Sequence, residues 1–289
     1  MSAFVLLVIF VSSLSWSLFD MSRKRLSSSV SPAAAVVWLM LLQAPLFAGV
    51  ALIEPWTHPS SSYWWPALAS LTLNLLGNIW FIQAVRLAPL SLAVPVLSLT
   101  PVFSTLGGFL LLGEKTSARQ ALGIVIIVAS TFFLGRASSR AHPSVEERSR
   151  VVKGLALMAV VAFLFAVTPV FDKICLESLP SSQHAFIQSI ASAAVLASVL
   201  KVRRQPLDLK GALSNGVWLA TAVGFAALAL FTQLWSIREV PVGHFDALKR
   251  SFGLIAALGL GLMVFKEPLT KAKIIAVVAI GIGIFILLA

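Results

Sequence analysis

Apolar runs of about twenty residues, following one another with short polar gaps between them, dominate this chain and leave it few ways to fold. They lie near residues 3–20, 33–53, 64–85, 88–112, 118–135, 152–171, 184–200, 213–236, 242–265 and 272–289. In hydrocarbon every backbone polar group must find its partner within the protein, and a helix satisfies that within one segment. An all-α membrane protein with ten transmembrane helices is therefore expected, with the lipid bilayer as its first partner. Only 11% of residues are charged, where a soluble domain carries about 25%, so the chain cannot coat itself in water. The formal charge of +11 does not indicate nucleic acid, because Lys and Arg sit in the gaps between apolar runs as topology signals.

The longest polar gap, RASSRAHPSVEERSRVVK from Arg136 to Lys153, divides the chain almost in half, and the halves read as copies. WSLFD, ending at Asp20, aligns with TPVFD, ending at Asp172; VRLAPLS, with Arg86 and Pro89, aligns with IREVPVG, with Arg238 and Pro241. Both pairs are 152 positions apart, and LLGEK (Glu114) aligns with VFKEP (Glu267) at 153, an internal repeat. Five helices is an odd number, so the second copy enters the membrane upside down. Loop charges agree: Arg23, Lys24 and Arg25 of the first loop face only Lys173 in its equivalent, and the uncharged second loop matches one bearing Lys201, Arg203, Arg204 and Lys210. Alternate loops beginning with the first hold sixteen of the 22 Lys and Arg. The positive-inside rule makes those loops cytoplasmic and turns both termini outward. Residues 3–11 lack a preceding basic residue and a following A-x-A site, so they are expected to stay as the first span. Cys175, the single cysteine, reads as a small apolar filler.

One apolar run, Pro241 to Phe265, carries Asp246, Lys249 and Arg250 near its start. Spaced i, i+3 and i+4, the three share a helix face, continued by the small residues Gly253, Ala257 and Gly261. An ionisable group at membrane depth costs about 2.5–3.5 kcal/mol, which marks a substrate or ion pathway. The alternative is a structural Asp246–Arg250 pair with Lys249 snorkelling to the headgroups. The fourth run offers a facing wall of Ser91, Pro95, Ser98 and Thr105, in which Pro95 and Pro101 break the hydrogen-bond ladder and free carbonyls toward a cavity or merely kink the helix. Asn74 and Asn78, four apart, and Gln233 are amides that need partners, a ligand or each other. Trp16 and Trp80 are candidate flat walls, whereas Trp56, Trp64 and Trp65 suit an interfacial belt. His244 is a candidate ligand group or a structural donor at a helix start. Asp20 and Asp172, being repeat-equivalent, read as a shared structural pair rather than proton carriers. Pro89, Pro95 and Pro241 are the candidate hinges.

Each half closes with LGEK (Leu112 to Lys115) or FKEP (Phe265 to Pro268) before a final apolar helix, and this pattern resembles the EamA repeat of the drug/metabolite transporter superfamily. The resemblance implies two inverted five-helix repeats, 1–135 and 152–289, joined by a polar linker at 136–151. DALKRS, from Asp246 to Ser251, is similar to the basic dipeptide on the ninth helix of many EamA proteins. In the sugar-phosphate branch of the superfamily a Lys-Arg pair there is understood to bind the substrate phosphate. Two departures stand out. Relatives are described with cytoplasmic termini, and here the first copy has Leu97 and Ser98 where the second has Lys249 and Arg250.

The chain has no GxxxxGK[ST] phosphate loop, no GxSxG elbow and no clustered Cys/His pattern, so it is not expected to be an enzyme or to hold a metal or cofactor. The expected function is a secondary active transporter, an exporter or exchanger, of a small polar metabolite such as an amino acid or organic anion. It would work by alternating access in a bacterial inner membrane. The expected substrate is anionic or zwitterionic, contacted by Lys249, Arg250, Asp246, Ser98, Asn78, Gln233, Trp16 and His244, with a proton as candidate coupling ion. The alternatives are efflux of amphipathic or aromatic drugs and a non-transporting scaffold or sensor of the same fold.

Overall fold

Local signals set where the helices begin and end. Pro32 opens α2 (Pro32–Ala51) behind Ser31, whose hydroxyl accepts the Ala34 N–H at 3.3 Å, a side-chain cap on one orphan donor. Gly113, at a φ of 65°, stops α5 (Thr100–Leu112) in the left-handed conformation that glycine adopts without strain. Asp208 caps the short α9 (Leu209–Ser214) by accepting the Gly211 N–H. The computed structural model describes residues 1–26, 31–88, 90–138, 145–263 and 271–289, and among them there is no strand.

The remaining helices are α1 (Ala3–Leu26), α3 (Trp64–Leu87), α4 (Leu90–Ala93), α6 (Ala118–Ser138), α7 (Val145–Cys175), α8 (Ser181–Val202), α10 (Gly216–Glu239), α11 (Val242–Met263) and α12 (Lys271–Leu288). Among the described residues five segments are, by length and composition, sufficient to cross a membrane: Ala33–Ala51, Pro95–Leu112, Arg148–Cys175, Ser181–Val202 and Gly216–Glu239. Ala3–Phe19, Ala118–Phe133 and Ile274–Leu288 are shorter apolar stretches within helices.

Several boundaries differ from expectation. Helices α1 and α7 run past their apolar segments, since hydrogen bonding continues where lipid-compatible side chains stop. The fourth run is not one helix: α4, a 3-10 stretch over Val94–Leu99 and α5 follow end to end, with Pro95 and Pro101 at the breaks. Pro101 deprives the Leu97 carbonyl of its helical donor, and the tighter 3-10 turn supplies the Thr100 N–H instead.

The largest helix contacts are α3 with α7, α1 with α10, α6 with α12, and α2 with α8, so each joins the first half to the second. Small residues allow some of these approaches. A Cβ on Gly123 of α6 would sit 2.8 Å from the Gly283 carbonyl of α12, and one on Gly154 of α7 would sit 2.9 Å from the Ala88 nitrogen. Helices α1 and α10 are antiparallel, since Phe4 packs edge-on against Trp235 while Phe19 shares a cluster with Ala222. Helices α3 and α7 are antiparallel too: the Tyr63 carbonyl accepts from Cys175 Sγ, Phe165 lies over Gly77, and the Arg86 carbonyl accepts from Arg150. Matching the halves in chain order, α1 with α7, α2 with α8, α3 with α10 and α6 with α12, turns the α3–α7 pair into the α10–α1 pair and leaves α2–α8 and α6–α12 as self-matching pairs.

Candidate functional site

A cavity of about 340 Å³ lies between the halves. Its lining runs from Asp172, His184 and Asp246, near one end of the helices, to Phe19, Val36 and Phe81, toward the end that carries the basic loops. At the first end, polar contacts tie the connections together. Glu114 is the centre of one knot: its carboxylate accepts from Lys173 Nζ at 2.7 Å and from the Val242 N–H at 3.0 Å, while Lys173 also donates to the Val240 carbonyl. The left-handed turn at Gly113 folds Glu114 back over Gly108, and a Cβ at Gly108 would collide with that carboxylate. That is a physical reason for glycines at 108 and 113 ahead of this glutamate. In the other knot, Ser182 donates to Glu54 at 2.5 Å, and Gln183 accepts from Thr57 and donates to the Pro55 carbonyl.

Of the residues singled out by sequence, Lys249, Arg250, Asp246, Asn78, Gln233 and Trp16 line this cavity. Helix α11 presents the charged three on one face. Lys249 Nζ donates to Gln233 Oε1 at 2.9 Å, and Trp16 Nε1 donates to the same oxygen at 3.0 Å. The ammonium also lies 5.5 Å from the Trp16 ring centre and 3.9 Å from Asp246 Oδ1. Arg250 Nε donates to Thr100 Oγ1 at 3.2 Å, a bond from the second half to the first. Asp246 is buried, and its Oδ2 has no hydrogen-bond partner among the described residues. Such an oxygen is costly unless a ligand, water or proton meets it. Asn78 Nδ2 donates to Asn74 Oδ1 at 2.9 Å and to the Asn74 carbonyl at 2.8 Å.

Other positions do not reach the cavity. Ser98 is buried but turns back on its own rod, donating to the Pro95 carbonyl at 2.6 Å. Ser104 and Thr105 likewise donate to the Pro101 carbonyl, so these proline carbonyls are taken up locally rather than offered to a ligand. His244 is buried near the Glu114–Lys173 knot and outside the lining. Pro241 stands in the turn between α10 and α11. Pro89 and Glu267 lie outside the described residues, as do the side chains of Asp20 and Ser91.

The lining also includes His184, Gln43, Gln188 and Ser189, which sequence reasoning left aside, and Asp172, which it read as half of a structural pair with Asp20. Gln43 Nε2 donates to Ser189 at 3.0 Å, joining α2 to α8, and Gln188 donates to the Ala67 carbonyl. Asp172 accepts from Ser70 and from His184 Nε2, the latter at 3.3 Å. Pro169, inside α7, lines the cavity as well; its only sequence signal was a proline within an apolar run. Chemically the site offers the Lys249 ammonium, the Arg250 guanidinium, two carboxylates, several amides and an aromatic wall of Trp16, Phe19, Phe81 and Phe165.

Comparison with known proteins gives a consistent picture. The model of the EamA-like transporter family matches residues 3–136 and 152–289. The chain is 21% identical over 229 residues to Protein LicB of Haemophilus influenzae, covering 78% of this chain and 75% of that one. It is 31% identical over 120 residues to a riboflavin transporter of Vibrio cholerae, 41% of this chain and 40% of the relative. A probable 4-amino-4-deoxy-L-arabinose-phosphoundecaprenol flippase subunit ArnE of Pseudomonas savastanoi is 34% identical over 115 residues, 35% of this chain and 98% of that subunit. A solved crystal structure of a protein superposes with a TM-score of 0.78 at 19% identity, covering 99% of this chain and 96% of the other, a likeness of fold.

Proposed function

This chain belongs to the EamA-like transporter family, a branch of the drug/metabolite transporter superfamily, and on that footing we propose that it is a secondary active transporter of a small anionic or zwitterionic metabolite. The observation that carries the reading is the cavity between the halves, to which α11 contributes Asp246, Lys249 and Arg250 while the first half contributes Trp16, Asn78 and Thr100. Arg250 offers paired donors to a carboxylate or phosphate, Lys249 adds a point charge, and the carboxylates can hold an ammonium. Amino acids and related organic anions carry these groups.

The proposed architecture is ten spans in two inverted five-helix copies, 1–135 and 152–289. The exchange-symmetric helix pairing supports it. Transport runs by rocking of the halves, with the two polar knots parting as the cavity turns to the other face. Loop charge supports a cytoplasmic basic face and outward termini. The membrane is a bacterial inner membrane.

A second reading is favoured by the aromatic wall: a substrate whose charged head meets α11 and whose flat body lies against Trp16, Phe81 and Phe165. The riboflavin transporter among the relatives makes flavins a natural probe. A thermal-shift screen of the purified protein against amino acids, organic acids, phosphosugars, riboflavin and aromatic cations tests both. A ligand at a hundred times its Kd stabilises by about 2.7 kcal/mol, enough to see. Stabilisation by an acidic or zwitterionic compound, lost in R250Q, is the expected outcome; stabilisation by cations alone would overturn it.

A further inference from the structure

The transporter reading leaves unused the buried group chain at the end of the cavity away from the basic loops. Helix α8 brings His184 there one turn after its start, α7 brings Asp172 one turn before its end, and the turn ahead of α3 brings Tyr63. Exposure is 1% for His184 and Tyr63 and 5% for Asp172. The imidazole lies between the other two, with Nδ1 3.0 Å from the Tyr63 hydroxyl and Nε2 3.3 Å from Asp172 Oδ1. We propose that His184, so held, is a proton-binding site opening on the cavity.

The geometry accommodates both forms of the ring. A neutral imidazole with its proton on Nε2 donates to Asp172 and accepts the Tyr63 hydroxyl proton at Nδ1. An imidazolium donates from both nitrogens, and the Tyr63 oxygen, which serves either way, becomes the acceptor. Neither form strands a ring nitrogen, and the Asp172 carboxylate faces the added charge. Asp172 and His184 both line the cavity, which gives the proton its route.

Other charged or titratable groups around the ring are few. Helix α2 carries none. From α7 come Asp172 and Cys175, the latter against the Tyr63 carbonyl, while Lys173 is engaged with Glu114. From the α2–α3 connection, Glu54 accepts from Ser182, and His58 lies in the same connection. The titratable residues of α10, Arg238 and Glu239, are exposed at its end. The repeat gives a further argument. Asp172 is matched by Asp20, but 152 positions before His184 stands Pro32, and 152 after Tyr63 stands Asn215. The equivalent place, with Asp20, Pro32 and Asn215, keeps the aspartate but neither of its partners, so the trio, built across the two halves, is not a repeated element of the fold.

The described cavity lining carries two carboxylates, Asp172 and Asp246, and two fixed cations, Lys249 and Arg250. A proton on His184 tips that formal balance by one positive charge, so proton and anionic substrate favour each other's binding. By linkage the effect is reciprocal. This last step rests on the transporter reading; the site itself does not.

The test is nitrogen NMR of the full-length protein, labelled with 15N-histidine, in lipid nanodiscs between about pH 5 and about pH 8. The resonances of His184 are identified by their absence in H184Q, or, should that variant not fold, by their survival in H58Q/H142Q/H244Q. His184 is expected to pass reversibly from the Nε2–H neutral form to the imidazolium, and D172N to abolish that passage. A His184 that keeps one protonation state throughout in the wild type overturns the proposal, as does a folded D172N that titrates like the wild type. Because no transported compound is needed, the outcome is independent of whether the flux measurement below succeeds.

Discussion

The rod made by α4, the 3-10 stretch and α5 and the single helix α11 occupy repeat-equivalent places, yet they are built oppositely. The first is broken by Pro95 and Pro101, carries Leu97 and Ser98, and uses Ser98, Ser104 and Thr105 to absorb carbonyls within itself. The second is an unbroken helix over its described length and carries Lys249 and Arg250 at the matching positions. Both contribute to one cavity, through Leu97 and Thr100 on one side and the charged face on the other. The difference teaches a division of labour. A continuous helix can aim three charges along one face, while a proline-broken rod supplies a shaped, neutral wall to which, among the described residues, Thr100 adds the polar group, the acceptor for Arg250.

The largest effect that sharpens this contrast is expected from K249Q/R250Q, which should weaken binding of an acidic ligand by roughly tenfold to a hundredfold, a few kcal/mol for lost charge-assisted bonds. S98A, at the place matching Arg250, should leave binding unchanged; equal losses in both, read by titration calorimetry, would erase the asymmetry. Next comes G243A, because a Cβ there would meet the Thr105 backbone at 2.8 Å where α11 crosses α5. Overpacking of that kind costs about 1–3 kcal/mol, so the Tm in detergent should fall by several degrees. Third, E114Q should cost about 1–2 kcal/mol by weakening the bonds to Lys173 and Val242; both side chains are partly screened, at 21% and 11% exposure for Lys173 and Glu114, which keeps the figure low. Differential scanning fluorimetry reads it directly. Smallest, T100V removes the acceptor for Arg250 Nε and should weaken ligand binding by about 1 kcal/mol, within fivefold or so.

Much of the helical architecture was legible because apolar length alone announces it. Membrane helices need no long-range information to be seen, and the repeat aligns Glu114 with Glu267 and Asp20 with Asp172 in the sequence alone. What apolarity could not show is where hydrogen bonding outlasts it, as in α7 from Val145, or that two prolines would turn a span into three segments. At the cavity, Lys249 and Arg250 were visible because charge inside an apolar run is conspicuous. Ser98 lies outside the lining: spacing placed it on a face, but its hydroxyl finds its acceptor in the Pro95 carbonyl of its own turn. His184 was passed over for an equally physical reason. It stands 12 residues from Asp172 and 121 from Tyr63, so only the packing of α3, α7 and α8 makes the three a unit.

The central claim, that the cations of α11 serve a substrate crossing the membrane through this cavity, is tested most directly by flux. Proteoliposomes holding the wild type or K249Q/R250Q, each shown to be folded by its melting transition, are loaded with the compound that stabilises the purified protein. Time-resolved uptake of its radiolabelled form is then followed. The account predicts saturable uptake above empty liposomes for the wild type and, at the same low substrate concentration, uptake roughly tenfold or more lower for the double variant. Wild-type uptake equal to that of empty liposomes, or uptake undiminished in K249Q/R250Q, would contradict it.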